Sequence, residues 1–62
     1  MSLYEYQQST TIDAEDYDFY ALLMALMRKA DDNNLQKLSS LFPETYKELK
    51  ERYNAPRGII NE

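Results

Sequence analysis

Nine consecutive apolar residues, Phe19 to Met27, lie near the middle of this 62-residue chain. A surface helix of a small protein usually has one apolar stripe and one polar face, but this segment is apolar around nearly its whole circumference. It is much shorter than the roughly 20 residues that a membrane-spanning helix needs. The run therefore predicts a helix in a soluble protein that must be covered from several sides.

A chain this short has few other residues with which to bury the apolar 19–27 helix. A domain of this length buries only about 60% of the surface that its unfolded chain exposes, and small scaffolds usually need a disulfide, a metal or a partner subunit. Two short helices of the same chain would leave part of the 19–27 segment uncovered. We therefore predict a homo-oligomer.

The absent residue types exclude most catalytic and metal-binding sites. The chain has no Cys and no His, so it can form no disulfide, thiolate metal site or imidazole-based catalytic arrangement. Paired carboxylates perform acid–base chemistry where burial raises the pKa of one of them, whereas the acids here lie in polar runs. We expect a non-enzymatic protein with no catalytic residues, no cofactor and no metal site.

The charge distribution argues against nucleic acid as a partner. The formal net charge is -4, and residues 1–27 contain five acids and no base, whereas all seven bases follow. Nucleic-acid-binding proteins usually have a basic face and a high pI. The uneven distribution of charge instead favours contacts between the acidic end of one subunit and the basic end of another.

The N-terminus lacks the basic and apolar regions of a signal peptide, so we expect a cytoplasmic protein without a membrane partner.

Cap and turn residues divide the chain into predicted helices. Asp13, followed by Asp16 three residues later, resembles a capping pair, and the acidic 13–18 stretch suits the positively polarised end of a helix. Asp31-Asp-Asn-Asn34 predicts a tight connection, and Pro43 suits the first position of the next helix. We predict one all-α domain of three helices, a helical hairpin plus a C-terminal helix, at 13–30, 33–41 and 43–53.

The two ends are predicted to lie outside these three helices. Residues 1–12 are expected to form an arm or a short helix capped by Ser2, because the hydroxyl residues at 9–11 favour turns. Residues 54–62 are expected to form a tail. Asn54 suits a left-handed cap, and Pro56 prevents the helix from continuing.

Two segments superficially resemble known binding motifs but carry residues that do not suit those motifs. The acids at 13–18 suggest a calcium loop, but the twelfth position, which needs Glu, is Met24. Residues 43–53 are placed like the recognition helix of a helix-turn-helix, but they carry three Glu residues that would repel phosphates. A charged cap and a solvated amphipathic helix explain these segments better.

The candidate binding residues are tyrosines, a methionine and arginines. Six Tyr are more than a dry core of this size can hold, and Tyr is favoured at interfaces and in ligand pockets. The arginines form a basic patch if the C-terminal ends of the central and last helices lie together. In that case the arginines can bind a phosphate, and a neighbouring Tyr can stack on a base. The simpler interpretation is that the apolar residues pack in the core and that the arginines are exposed cations at helix ends. The candidates are Tyr20, Met24, Arg28, Arg52, Tyr53 and Arg57.

Three segments resemble short, mostly uncharacterised proteins of tailed bacteriophages and prophages. They are 19–31, 32–38 and 42–58, the last reading FPETYKELKERYNAPRG. The chain departs from that pattern at Arg57, where a Gly is expected before Gly58. The resemblance implies a phage origin and a bacterial cytoplasmic setting, and it implies no activity and no functional residues.

We therefore expect a phage or prophage accessory protein that binds a host or phage macromolecule, most simply a protein, through an oligomeric helical surface. The alternative is a protein that sequesters a nucleotide signal of bacterial antiphage defence. That alternative requires the tyrosines and arginines named above to converge, which we expect at a subunit interface.

Overall fold

The computed structural model of the chain describes residues 2–59. The all-α prediction is confirmed, since this part of the chain is helical and contains no strand. Residues 2–59 form four α-helices instead of the predicted three, and a short 3-10 helix, Pro56–Gly58, follows them. The α-helices are α1 (Leu3–Ala14), α2 (Phe19–Lys29), α3 (Asp32–Leu41) and α4 (Pro43–Asn54). Positions 60–62 of the predicted tail lie outside the described residues.

The N-terminal segment forms a longer helix than predicted. Ser2 and Glu5 make a reciprocal capping box, in which the Glu5 backbone N–H donates to Ser2 Oγ at 3.2 Å and the Ser2 N–H donates to Glu5 Oε1 at 2.9 Å. The hydroxyls of Ser9 and Thr10 donate to backbone carbonyls three residues earlier, each at 2.6 Å. These hydroxyls are therefore satisfied within the helix, and the expectation that they end it is wrong.

The predicted start of the central helix at residue 13 is also wrong. Asp13 belongs to the last turn of α1, and Asp16 has a left-handed backbone conformation with φ 57°. This left-handed residue separates the two helices. Asp18 caps α2, because its carboxylate accepts a hydrogen bond from the Tyr20 N–H at 3.0 Å. The acidic run thus ends one helix and caps the next.

The later boundaries agree with the prediction to within one residue. Asp31 caps α3 by accepting from the Asn34 N–H at 2.8 Å. Phe42 has φ -129° and ψ 63°, which interrupts the helix, and Pro43 takes the first position of α4. The central helix ends at Lys29, with Ala30 as its C-cap.

The core is formed by two residues of α2. Leu23 and Met27 are 6% and 3% exposed, and they are the buried hydrophobic residues of the described part of the chain. Helix α4 packs on both α2 and α3, and the 3-10 helix packs on α4. None of the residues of α1 is buried. Within residues 2–59 no helix is long and apolar enough to cross a membrane.

A large amount of apolar surface remains outside this core. On α2 itself, Phe19 is 60% exposed and Leu26 is 53% exposed. The other exposed large hydrophobic residues are Leu3, Tyr4, Tyr6, Ile12, Tyr17, Tyr20, Leu41, Tyr53 and Ile59. As expected from the 19–27 run, the helices of one chain leave part of α2 uncovered.

Candidate functional site

Five of the six candidate residues line one cleft. The cleft has a volume of about 470 Å³ and lies between α2, α4 and the chain that follows α4. We call it the arginine cleft. It is lined by Met24 and Arg28 of α2, by Leu49, Arg52 and Tyr53 of α4, and by Ala55, Arg57 and Gly58.

The packing of α2 beside α4 brings these residues together. Met24 and Arg28 are four residues apart and therefore share one face of α2, and Leu49 and Tyr53 do the same on α4. The Arg28 guanidinium carbon lies 5.9 Å from the centroid of the Tyr53 ring, within the range of a cation–π contact. The C-terminal ends of α2 and α4 therefore meet, as the basic-patch hypothesis required.

Arg52 connects α4 to the turn that follows it. Its Nη2 donates to Glu48 Oε1 at 3.3 Å, and its Nη1 donates to the Gly58 carbonyl oxygen at 2.8 Å. The first contact is an i,i+4 salt bridge on one helix face. The second fixes the chain as it passes the end of α4, so Arg52 has a structural role in one wall of the cleft.

Arg57 has a backbone conformation that is unusual for its residue type. Its φ is 56° and its ψ is 21°, and Gly58 beside it has φ 72°. The Gly58 N–H donates to the Ala55 carbonyl at 3.1 Å, and the Ile59 N–H donates to the Pro56 carbonyl at 3.0 Å. These bonds close a tight turn, which we call the 55–58 turn. Left-handed geometry is readily adopted by Gly but is unfavourable for Arg, because its Cβ crowds the backbone.

The charge of the cleft differs from that of the whole protein. Three of the seven bases line it and, among residues 2–59, no acid does, although Glu48 forms a salt bridge with one of them, Arg52, and the formal net charge of the chain is -4. Among residues 2–59, neither Arg28 nor Arg57 makes a salt bridge. Two guanidinium groups without a carboxylate partner favour an anion, and Arg binds phosphate or carboxylate through paired hydrogen bonds.

Tyr20 does not reach the arginine cleft. It lies two helical turns before Arg28, about 12 Å along α2 at 1.5 Å per residue. There it lines a separate surface with Glu44, Glu48 and other residues of α4, and its ring packs edge-on against Phe19 at 5.2 Å. The basic-patch hypothesis named Tyr20 or Tyr53 as the neighbouring aromatic residue, and of these two Tyr53 lines the arginine cleft.

Sequence reasoning did not identify Leu49, Ala55 and Gly58 as cleft residues. The spacing of Leu49, three residues before Arg52 and four before Tyr53, would have placed it beside them on the last helix. The positions of Ala55 and Gly58 depend on the 55–58 turn. A cap at Asn54 and a stop at Pro56 do not specify where the chain goes next.

A second concave surface is almost wholly apolar. It has a volume of about 290 Å³ and lies between α2 and α3. The Phe19 and Phe42 rings meet there edge to face, with centroids 6.3 Å apart. We call it the α2–α3 groove; it is lined by Phe19, Leu22, Leu23, Leu26, Leu38 and Phe42.

Over the described 2–59 range, no group of three or more Asp and Glu residues is arranged to hold a metal ion. The acids at 13–18 are divided between the end of α1, the left-handed Asp16 and the cap of α2. The candidate binding surfaces of the described residues that we consider further are the arginine cleft and the α2–α3 groove. Comparisons with protein-family models, curated proteins and solved structures find no match to this chain.

Proposed function

We propose that this chain is a non-enzymatic helical binding module that self-associates through the α2–α3 groove and binds a host or phage protein with the surface so formed. The observation that carries the proposal is the groove itself, an apolar concavity built on a helix that its own chain leaves half exposed. Assignment to a phage or prophage rests on the resemblance of 19–31, 32–38 and 42–58.

The chemistry of the groove favours an apolar occupant. All six lining residues are Phe or Leu, and the exposed Phe19 and Leu26 stand at its rim. Contiguous apolar surface on a small protein commonly marks an interaction site. Burial of this surface stabilises an assembly by about 25 cal/mol per Å² of apolar area removed from water.

The charges at the two ends of α2 favour a second copy as that occupant. Asp18 lies four residues before Leu22, and Lys29 lies seven residues after it, so both adjoin the exposed face. In an antiparallel pair of α2 helices, Leu22 opposes Leu26 of the other copy, and the Asp18 carboxylate approaches the partner's Lys29 ammonium. The interface is then self-complementary, as a two-fold symmetric dimer requires.

The tyrosines supply the surface for a different protein. Tyr4, Tyr6, Tyr17, Tyr20 and Tyr53 are all exposed, and none of them lines the α2–α3 groove. Self-association through the groove leaves them free and doubles their number. Tyr residues contribute strongly to binding energy at protein interfaces. A mixed Tyr/Met/Arg surface is therefore the proposed partner site, and alanine variants at its tyrosines should weaken partner binding.

We expect Leu26→Glu to abolish self-association. The carboxylate would have to enter an apolar interface without a partner, which costs several kcal/mol, whereas in a single chain the half-exposed side chain reaches water. Native mass spectrometry over a concentration series should give dimers for the wild type and monomers for this variant.

Leu3→Glu is the matched control, because Leu3 is an exposed leucine on α1 and lies outside the groove. It should dimerise like the wild type. Circular dichroism should give the same helix content for all three proteins. A wild-type chain that stays monomeric at the highest concentration would contradict self-association, and a dimeric Leu26→Glu variant would show that the groove is not the interface.

A second candidate function, sequestration of a nucleotide signal of antiphage defence, is favoured by the convergence of Arg28, Arg52, Tyr53 and Arg57 on one cleft. A ligand present at 100 times its Kd stabilises a protein by about 2.7 kcal/mol. In a domain of this size each kcal/mol raises the Tm by about 4–8 °C. We therefore expect a thermal shift above 10 °C with at least one member of a panel of cyclic and ADP-ribose-type nucleotides. The absence of any shift across the panel would contradict this function.

A further inference from the structure

We infer that the arginine cleft is a binding site for a nucleoside phosphate, in which Arg28 and Arg57 contact the phosphate, Tyr53 stacks on the base, and Arg52 positions the 55–58 turn. This inference deepens the second candidate function and rests on it for its biological use. It assigns separate roles to the three arginines, and the following observations carry it.

The first observation is the gathering of like charges. Arg28 comes from the last turn of α2, and Arg57 comes from the 55–58 turn, so tertiary packing alone puts them on the same cleft. Within the described residues, neither has a carboxylate partner. Bringing cations together opposes folding unless an anion is present. A phosphate between them would remove that repulsion and accept hydrogen bonds from both guanidinium groups.

The second observation is the left-handed backbone of Arg57. At φ 56° a Gly would be favoured over any residue with a side chain. Unfavourable backbone conformations persist where the surrounding structure enforces them, and they are concentrated at binding sites. Here the turn places a guanidinium on the wall of the cleft. The cost of the conformation is therefore explained if the Arg57 side chain binds a ligand.

The third observation separates Arg52 from the other two arginines. Its guanidinium is engaged by the Glu48 carboxylate and by the Gly58 carbonyl at 2.8 Å. The bond to the Gly58 carbonyl holds the residue that directly follows Arg57. Arg52 therefore acts as a positioning residue, and its substitution should disturb the site through the 55–58 turn.

The fourth observation concerns the aromatic and apolar parts of the site. Tyr53 is 73% exposed, and the Arg28 guanidinium carbon lies 5.9 Å from the centroid of its ring. Met24 and Leu49 provide apolar cleft wall beside it. A volume of about 470 Å³ lies in the range of about 300–1,000 Å³ that is typical of small-ligand sites. Stacking on the exposed ring would select a ligand with a planar base.

Isothermal titration calorimetry with adenosine 5′-monophosphate tests the inference directly. We expect the 62-residue chain to bind this nucleotide more tightly than it binds either adenosine or inorganic phosphate. Arg57→Gly should weaken nucleotide binding by about 10- to 100-fold, the loss that accompanies removal of a hydrogen bond to a charged group. The same variant should unfold at a higher urea concentration, because Gly relieves the left-handed strain and one like charge is removed.

Asp16→Gly is the matched control. Asp16 is the other described non-Gly residue with positive φ, and it lies in the α1–α2 connection, outside the cleft. Its urea midpoint should change in the same direction as that of Arg57→Gly, while its nucleotide affinity should equal that of the wild type. Arg28→Gln is a second binding variant that leaves the 55–58 turn unaltered, and it should weaken binding to a similar extent.

Each other outcome overturns a stated part of the inference. Equal affinity of the wild type and Arg57→Gly would remove Arg57 from the site, and equal affinity for adenosine and its monophosphate would remove the phosphate contact. Inorganic phosphate binding as tightly as the nucleotide would reduce the cleft to an anion site. No binding of adenosine monophosphate would overturn the inference, whereas a thermal shift with another signal nucleotide would leave the second candidate function standing. If adenosine monophosphate binds in the cleft but no nucleotide of the panel gives a thermal shift, the inference stands and the second candidate function is contradicted.

Discussion

Leu23→Ala is expected to unfold most of the protein at room temperature. Leu23 is one of two buried hydrophobic residues in the described chain. Truncating a buried leucine to alanine costs about 2–5 kcal/mol, and the core of a domain below about 70 residues rarely supplies more than about 3–5 kcal/mol. Urea denaturation followed by far-UV circular dichroism should show a midpoint near zero denaturant.

Leu26→Ala is the control for this prediction, because Leu26 lies on the same helix and is half exposed. It should change the free energy of unfolding by no more than about 0.5 kcal/mol, as is usual for surface substitutions. Both variants should be measured at a concentration where the wild type is monomeric, so that the α2–α3 groove does not contribute. If the two midpoints coincide, Leu23 is not the centre of the core.

Helix α1 is expected to exchange its amide hydrogens far faster than α2 and α4. It has 12 residues and buries none of them, and isolated helices shorter than about 12–15 residues are marginal in water. Its hydrogen bonds should therefore open locally, without global unfolding. With a global stability of about 3–5 kcal/mol, protection of α2 should exceed that of α1 by about two to four powers of ten.

Hydrogen exchange with peptide-level mass spectrometry would measure this difference. Ser2→Ala should lower the remaining protection of α1 further, because it removes the capping box, and it should leave the exchange of α2 unchanged. Protection of α1 equal to that of α2 in the monomer would mean that α1 folds cooperatively with the rest. Protection that appears only at high concentration would place α1 at a subunit contact.

Much of the fold could be predicted because short-range features specify it. The apolar run requires a helix with buried positions, and both core residues, Leu23 and Met27, belong to that run. Asp31 and Pro43 act within one helical turn, and the boundaries that depend on them agree with the prediction. Local caps and breakers are informative because their hydrogen bonds involve neighbouring backbone groups.

The predicted boundary between α1 and α2 was wrong because the same residue types can either begin a helix or end one. Aspartates suit a helix N-terminus, but they also tolerate the left-handed conformation that ends a helix. In this chain Asp16 takes the second role and Asp18 takes the first. Ser9 and Thr10 likewise favour turns unless their hydroxyls bond to the helix itself, as they do here.

The candidate site was predictable as a set of residue types and only partly as an arrangement. Met24 and Arg28 share a helix face by spacing alone, and so do Leu49 and Tyr53. The packing of α2 beside α4 then determines that Arg28 meets Tyr53 and that Tyr20 faces acidic residues of α4. Such contacts join residues more than 20 positions apart, and spacing along the chain does not specify them.

The sequence by itself determined that this protein is all-helical, where most of its helices begin and end, and that a single chain leaves part of its apolar helix uncovered. These properties depend on periodicity, caps and the number of residues available for a core. Only the tertiary structure decided that three arginines and Tyr53 share a cleft in which Arg28 and Arg57 have no carboxylate partner among the described residues, and that Arg57 takes a backbone conformation suited to Gly. The reason is that helix packing and the 55–58 turn bring together groups that do not interact along the chain.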